Sequence, residues 1–220
     1  WDWRPGRQGK LGIPNGIMGL YKASGEVRIN GEALNLDKLG DALDHKVAFV
    51  SEDRRGVGLL LNESIEQNIV FSAMQTNGRF LKKIGWFHLY DAAAAKVHAT
   101  HMVETLDIRC TGIGQAAGRL SGGNQQKIIL AREMENHPEL LVAVHPTRGL
   151  DIGASQYVHD TMIEARDKGC GILLISADFD EVLKLSDRIL VMFEGQVMGI
   201  YSGENPPVEE ISLAMAGKEE

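Results

Sequence analysis

Apolar residues along this chain fall into short blocks whose spacing changes from one block to the next. Glu26 to Ile29 alternates polar with apolar, which predicts a half-buried strand entering a turn at Asn30-Gly31. Lys46 to Val50, Leu140 to Val144, Gly171 to Ile175 and Ile189 to Phe193 are further strand-length runs. Helical stretches separate the later ones, near Ser155 to Lys168 and Asp178 to Leu185. From about Asn62 to Asn136 helical signals dominate, including the Ala-rich stretch Asp91 to Leu106, with Gly78, Gly85 and Gly112 as breaks. The Glu194-Gly195 turn leads into Gln196 to Tyr201, a closing hairpin. Strands alternating with helices predict an α/β fold around a mainly parallel core sheet. The expected organisation is one domain over residues 1–220, with a helical subdomain inserted at about 62–136.

Composition changes this picture little but narrows the function. A chain of 220 residues can bury a full core, and 44% hydrophobic with 24% charged residues is ordinary for a globular domain. The formal net charge of -7 argues against a nucleic-acid surface, which needs clustered Lys and Arg to displace counterions, so no nucleic-acid partner is expected. Cys110 and Cys170 are far apart and lack any CxxC spacing, which reads as two free thiols in a reducing compartment. The longest apolar runs fall well short of the ~20 residues that span a bilayer. Trp1 to Lys10 carries Pro5 and Gly6 where a secretion signal needs an apolar core, so a cytoplasmic location is expected. His98 and His101 stand three apart on a predicted helix, but no carboxylate or Cys completes a ligand set. They read as surface histidines, and no metal site is assigned.

The chemistry concentrates in Leu120-Ser121-Gly122-Gly123-Asn124-Gln125-Gln126-Lys127, followed by the helix-forming run Ile128 to Glu135. Two glycines allow close backbone approach. A helix starting there aims unpaired N–H groups and its positive dipole end at an anion, and Ser121 adds a hydroxyl, a combination suited to phosphate. The full octet resembles the signature motif of ABC (ATP-binding cassette) ATPases, in the variant of monosaccharide and nucleoside importers. The resemblance implies a P-loop NTPase-like ABC nucleotide-binding domain. It further implies that Ser121, Gly122, Gly123 and Gln125 contact the γ-phosphate of ATP held, with Mg2+, on an opposite cassette.

Other segments follow the same family order, from about Ser24 to Gly217. Leu140 to Val144 and then Pro146 to Asp151 resemble the Walker B strand and the D-loop, placing Asp151 at a dimer interface. Phe49 to Arg54 resembles the Q-loop region, with Glu52 where most members carry Gln. Ile175-Ser176-Ala177-Asp178 falls at the place of the family's switch histidine.

Three positions depart from the pattern. Phosphoryl transfer to water needs a held Mg2+, a group that positions the water, and stabilisation of developing charge. Val144 stands where the family has the Mg2+-holding Asp, and it offers no oxygen to the ion's hydration shell. His145 stands at the position of the water-polarising Glu; imidazole can accept a proton near neutral pH, but without the metal ligand it gains little. Ala177 replaces the switch histidine. No catalytic residue is therefore assigned to this chain's own half-site.

A P-loop, GxxxxGK[ST], is also absent. Only Gly12 to Ile17 separate Leu11 from the family-like run beginning at Met18, too few for a strand, a Gly-rich loop and a helix. The expectation is that loop residues are missing from this interval, with Pro14-Asn15-Gly16 a remnant of the loop. The degenerate site resembles the C-terminal cassette of fused double-cassette importers, and Glu209 to Gly217 with the PTRGLD run looks most like their nucleoside branch. Monosaccharide import is the alternative, beside a soluble non-transport ABC ATPase or a non-catalytic regulatory module. The partners implied are a second cassette, in the same polypeptide or another, and transmembrane permease subunits, at the cytoplasmic face of the cell membrane.

Overall fold

The computed structural model describes residues 9–38 and 40–218. They fall into two compact units, Ala48–Ile172 and the remainder, which joins the chain up to Val47 with the chain from Leu173.

In the first of these units, strand β3 (Val47–Val50) is followed by a one-turn π-helical segment at Arg54–Gly58. Helix α3 (Ile65–Asn77) comes next, then a β4–β5 hairpin (Leu81–Ile84, Phe87–Tyr90), helix α4 (Ala92–Thr105), helix α5 (Gly122–Met134), strand β6 (Leu140–Val144) and helix α6 (Ile152–Asp167). Strand β7 (Gly171–Ile175) completes a three-stranded parallel sheet of order β3-β6-β7. Central strand β6 is apolar at every position, and Leu141, Val142, Ala143 and Val144 are all buried. That continuous run is what a parallel strand covered on both faces requires. Helix α5 packs against both α3 and α6, and Ile128, Ile129 and Leu130 of α5, Ile65, Ile69 and Val70 of α3, and Val158 and Met162 of α6 are all buried.

Local chemistry sets the helix starts. Ser64 and Gln67 form a reciprocal capping box at α3, and Asp91 and Asp151 each accept a first-turn N–H, from Ala94 and Ala154. Helix α3 stops at Gly78, whose φ of 67° is the left-handed conformation glycine adopts without penalty. Asn68, fully buried, replaces missing backbone partners. Its Oδ1 accepts from Leu60 N at 2.9 Å, and its Nδ2 donates to the Leu60 and Ser64 carbonyls at 2.9 and 3.0 Å.

The other unit contains helix α1 (Gly9–Ile17), hairpin β1–β2 (Arg28–Ile29, Glu32–Ala33), the single turn α2 (Asp41–Asp44), helix α7 (Phe179–Leu185), hairpin β8–β9 (Arg188–Phe193, Gln196–Ser202) and helix α8 (Val208–Met215). Both hairpins turn on two residues of positive φ, Asn30-Gly31 at 51° and 86° and Glu194-Gly195 at 46° and 82°. Ile189 and Val191 of β8 pack under Ile211 and Ala214 of α8, with Phe179, Val182 and Leu183 of α7 alongside.

Two expectations need correction. The chain runs unbroken through Leu11 to Met18, so no loop residues are missing. Asn15 and Gly16 lie inside α1, not in a phosphate loop. The Asn15 carbonyl accepts from Leu20 N (2.8 Å) and Tyr21 N, and Gly16 O accepts from Gly19 N, so these residues close a helix end. His98 is not a surface side chain. It is 12% exposed, stacks near Phe80 (ring centroids 5.2 Å apart) and places Nε2 3.3 Å from Glu135 Oε2 of the α5 C-terminus. A carboxylate thus reaches it through the fold, from a residue 37 positions away. Among the described residues no group of three or more His, Cys, Asp or Glu is arranged to hold a metal ion.

Candidate functional site

Within the octet Leu120 to Lys127 only Ser121 is exposed, and the other residues are half-buried or buried. Ser121 is the N-cap of α5, with the extended backbone (φ -63°, ψ 157°) that position needs. It is exposed, and its Oγ accepts from Asn124 Nδ2 at 3.0 Å and, at a longer 3.5 Å, from Asn124 N. Gly122 and Gly123 form the first turn beside it, where backbone N–H groups have no intrahelical acceptor. Gly123 is required by packing: a Cβ there would lie 2.8 Å from Ala154 Cβ of α6. Gly122 has room, its nearest neighbours being 3.7 to 3.9 Å away.

Residues Asn124 to Lys127 serve the fold. Asn124 Oδ1 accepts from Arg109 N at 3.1 Å, and Lys127 Nζ donates to the carbonyls of Leu106 and Asp107 at 2.7 and 2.8 Å, neutralising the negative end of α4. Gln126 is 1% exposed. Gln125 is 4% exposed and donates Nε2 to the Ala117 carbonyl at 3.2 Å, bracing the short 3-10 turn Ala117–Arg119 that delivers the chain to Ser121. Unlike Ser121, then, Gln125 is turned inward.

A pocket of about 380 Å³ opens beside this helix start. Glu52, Asp53, Arg54 and Arg55 form one wall, and Gly118, Leu120, Gly122 and Gln125 form the other. Asp53 builds the first wall by accepting from Arg55 N (3.2 Å) and Gly56 N (2.8 Å). Arg54 Nη2 donates to the Arg148 carbonyl at 2.8 Å, and Arg148 Nη1 stands 3.5 Å from Glu52 Oε2. The fold thus brings together three segments read separately from the sequence: Glu52 to Arg54, Ser121 to Gly123, and Arg148 to Asp151. Arg54 was not singled out by its type or spacing; only the long-range bond to residue 148 reveals it.

The fate of the other positions is mixed. Val144 ends β6 at 1% exposure, with only apolar atoms to present. His145 follows with a φ of 45°, a left-handed conformation costing a non-glycine residue about 1 kcal/mol, and its carbonyl accepts from Arg148 N in the turn leading to Asp151. Asp151 is exposed and caps α6 through Ala154 N at 2.8 Å. Ala177 lies in the other unit, exposed, just before Asp178, the N-cap of α7. The residues present at 144 and 145 do not fit a Mg2+ site, for neither supplies a carboxylate, whereas the start of α5 fits a phosphate.

Residues 8–148 match the family model described as ABC transporter. The "Nucleoside import ATP-binding protein NupA" of Lactococcus lactis subsp. cremoris is 37% identical over 95% of this chain and 40% of its own length. The "Ribose import ATP-binding protein RbsA" of Caldanaerobacter subterraneus subsp. tengcongensis is 32% identical over 96% of this chain and 42% of its own. This chain therefore spans about two fifths of the curated relatives it matches. Among solved structures, a dimeric ATP-binding cassette in a post-hydrolysis state with ADP and phosphate superposes with a TM-score of 0.69 at 21% identity, covering 89% of this chain and 81% of that one. A nucleotide-free cassette gives 0.70 at 21% identity, covering 96% and 81%. These two show the fold. The chain belongs to the ABC transporter family, as an ATP-binding cassette.

Proposed function

We propose that this cassette belongs to an ABC importer and energises uptake of a nucleoside by supplying its signature residues to a composite ATP site whose phosphate loop lies on another cassette. The carrying observation is the start of α5: an exposed Ser121 followed by two glycines, on a helix pinned from behind by Gln125, Asn124 and Lys127. Such an end, held rigid and presented outward, binds an anion with little rearrangement. Ser121, Gly122 and Gly123 meet the terminal phosphate; Gln125 shapes the floor of the adjoining pocket. The Mg2+ belongs to the partner's site, and Asp151 lies at the interface between cassettes.

This chain's own half-site does not hydrolyse ATP. Val144 and His145 provide no carboxylate, Ala177 no imidazole, and α1 occupies the stretch where a phosphate loop would run. ATP then acts by binding the closed pair of cassettes better than the open one, and that difference is what can drive a permease. Permease subunits dock near Glu52, and the cassette sits peripherally at the cytoplasmic face of the membrane; among the described residues no helix is long and apolar enough to cross it. Nucleoside is preferred because the nucleoside-import relative is 37% identical, against 32% to 36% for the ribose-import relatives. Monosaccharide is the second reading, favoured by the number of those ribose relatives.

The test is ATP hydrolysis by this chain alone and mixed with a cassette that carries a complete P-loop. Hydrolysis only in the mixture, abolished by Ser121→Arg in this chain, is the expected result. Hydrolysis by the isolated chain would overturn the account of Val144 and His145.

A further inference from the structure

The guanidinium of Arg54 lies between two glycines. A Cβ on Gly122 would stand 3.8 Å from Arg54 Nη2, and one on Gly149 would stand 3.6 Å from the same nitrogen. Gly149 has a φ of 68°, so the turn after His145 adopts a shape that brings its backbone against Arg54. From that position Nη2 donates 2.8 Å to the Arg148 carbonyl. The base of the side chain is equally fixed. Asp53 caps the turn that carries Arg54, and a Cβ on Gly58, at the end of that turn, would come within 2.9 Å of Ile129 Cδ1 on α5. Arg54 thus starts from a turn seated on the signature helix and reaches the turn that ends in Asp151.

We infer that Arg54 is a positioning residue, clamping the 148–150 turn against the first signature glycine and so fixing the spacing between the two segments that face a partner cassette. The return contact, Arg148 to Glu52 at 3.5 Å, is long and starts from an exposed Arg148, so it adds little. Arg54 carries the link. Its Nη1 is buried without a hydrogen-bond partner among the described residues, and burial draws the guanidinium below its usual pKa. A lysine cannot substitute, because its single ammonium tip lacks the planar fork that lies between the glycines while donating sideways.

The test uses the full chain and two readouts. In hydrogen exchange, Arg54→Ala and Arg54→Lys each speed the amides of Leu150 and Ala154 by tenfold or more, while α3 is unchanged. In hydrolysis with a P-loop-bearing cassette, a readout that rests on the composite-site reading, both variants lower kcat about tenfold and leave KM for ATP within twofold, since the phosphate loop is on the other chain. Unchanged exchange at Leu150 and Ala154 overturns the clamp, as does full restoration of exchange and kcat by lysine. Faster exchange together with hydrolysis indifferent to Ser121→Arg keeps the clamp and sinks the composite-site reading.

Discussion

The three glycines around the signature helix separate packing from function. In Gly123→Ala, the new Cβ would begin 2.8 Å from Ala154 Cβ, whereas apolar carbons rest at about 3.5 to 4.0 Å. The first turns of α5 and α6 must part by roughly 1 Å. Overpacking of this kind costs about 1–3 kcal/mol, against a helix-propensity gain of at most ~1 kcal/mol, so the net expectation is a loss of about 1 kcal/mol. For a domain of this size that lowers Tm by roughly 2–4 °C. In Gly122→Ala the nearest atoms are 3.7 Å or more away, so stability holds or rises, yet a methyl now stands where a phosphate must approach the backbone. Gly153→Ala, inside α6 with only Asp151 Oδ1 at 3.5 Å, is the control, and it gains up to ~1 kcal/mol. Urea and thermal unfolding of the three variants, paired with hydrolysis in the mixture, read both quantities. Gly122→Ala abolishes hydrolysis at undiminished stability, and Gly123→Ala is the least stable. Wild-type stability for Gly123→Ala would refute the packing argument, and full hydrolysis with Gly122→Ala would refute the signature role.

Two further outcomes concern the same unit. Asn68→Ala removes the acceptor of the Leu60 N–H, while the Leu60 carbonyl keeps its bond from Glu63 N, and costs about 2 kcal/mol, read as a lower urea midpoint; a change below ~0.5 kcal/mol would mean that the N–H finds another partner. His98 is held below its ordinary pKa of 6.5 first by burial, then by the charges of Arg79 and His101; its 3.3 Å approach to Glu135 lacks hydrogen-bond geometry and does not offset them. The unfolded chain therefore takes up a proton more readily than the folded one. The stability from neutral His98 is complete above about pH 6.5 and is lost as pH falls below it. Tm should drop between pH 7.5 and 5.5, and less steeply in His98→Gln; equal slopes would contradict this.

Much of the fold was legible because its signals are local. Strands β3, β6, β7 and β8 announce themselves as short apolar runs, and the two-residue turns Asn30-Gly31 and Glu194-Gly195 fix the β1–β2 and β8–β9 hairpins. The β4–β5 hairpin was hidden, because Leu81 to Tyr90 mixes lysines with aromatics and most of its side chains stay exposed, leaving no alternation to read. Helix α1 escaped for another reason: Pro14 and three glycines argue against a helix that tertiary context imposes. The octet marks the candidate site but not which of its residues face outward. Gln125 looks like a ligand in the sequence, and in the fold its amide braces the Ala117 carbonyl, an acceptor that enters by a turn invisible to periodicity. Arg54 and Glu135 likewise gain their roles from bonds to residues 94 and 56 positions away.

The claim that this helix start closes over nucleotide held elsewhere is tested most directly by association. Sedimentation of this chain with a P-loop-bearing cassette blocked in hydrolysis should show a heterodimer that forms only with ATP and disappears with Ser121→Arg. A heterodimer indifferent to ATP, or one that Ser121→Arg leaves intact, would contradict it.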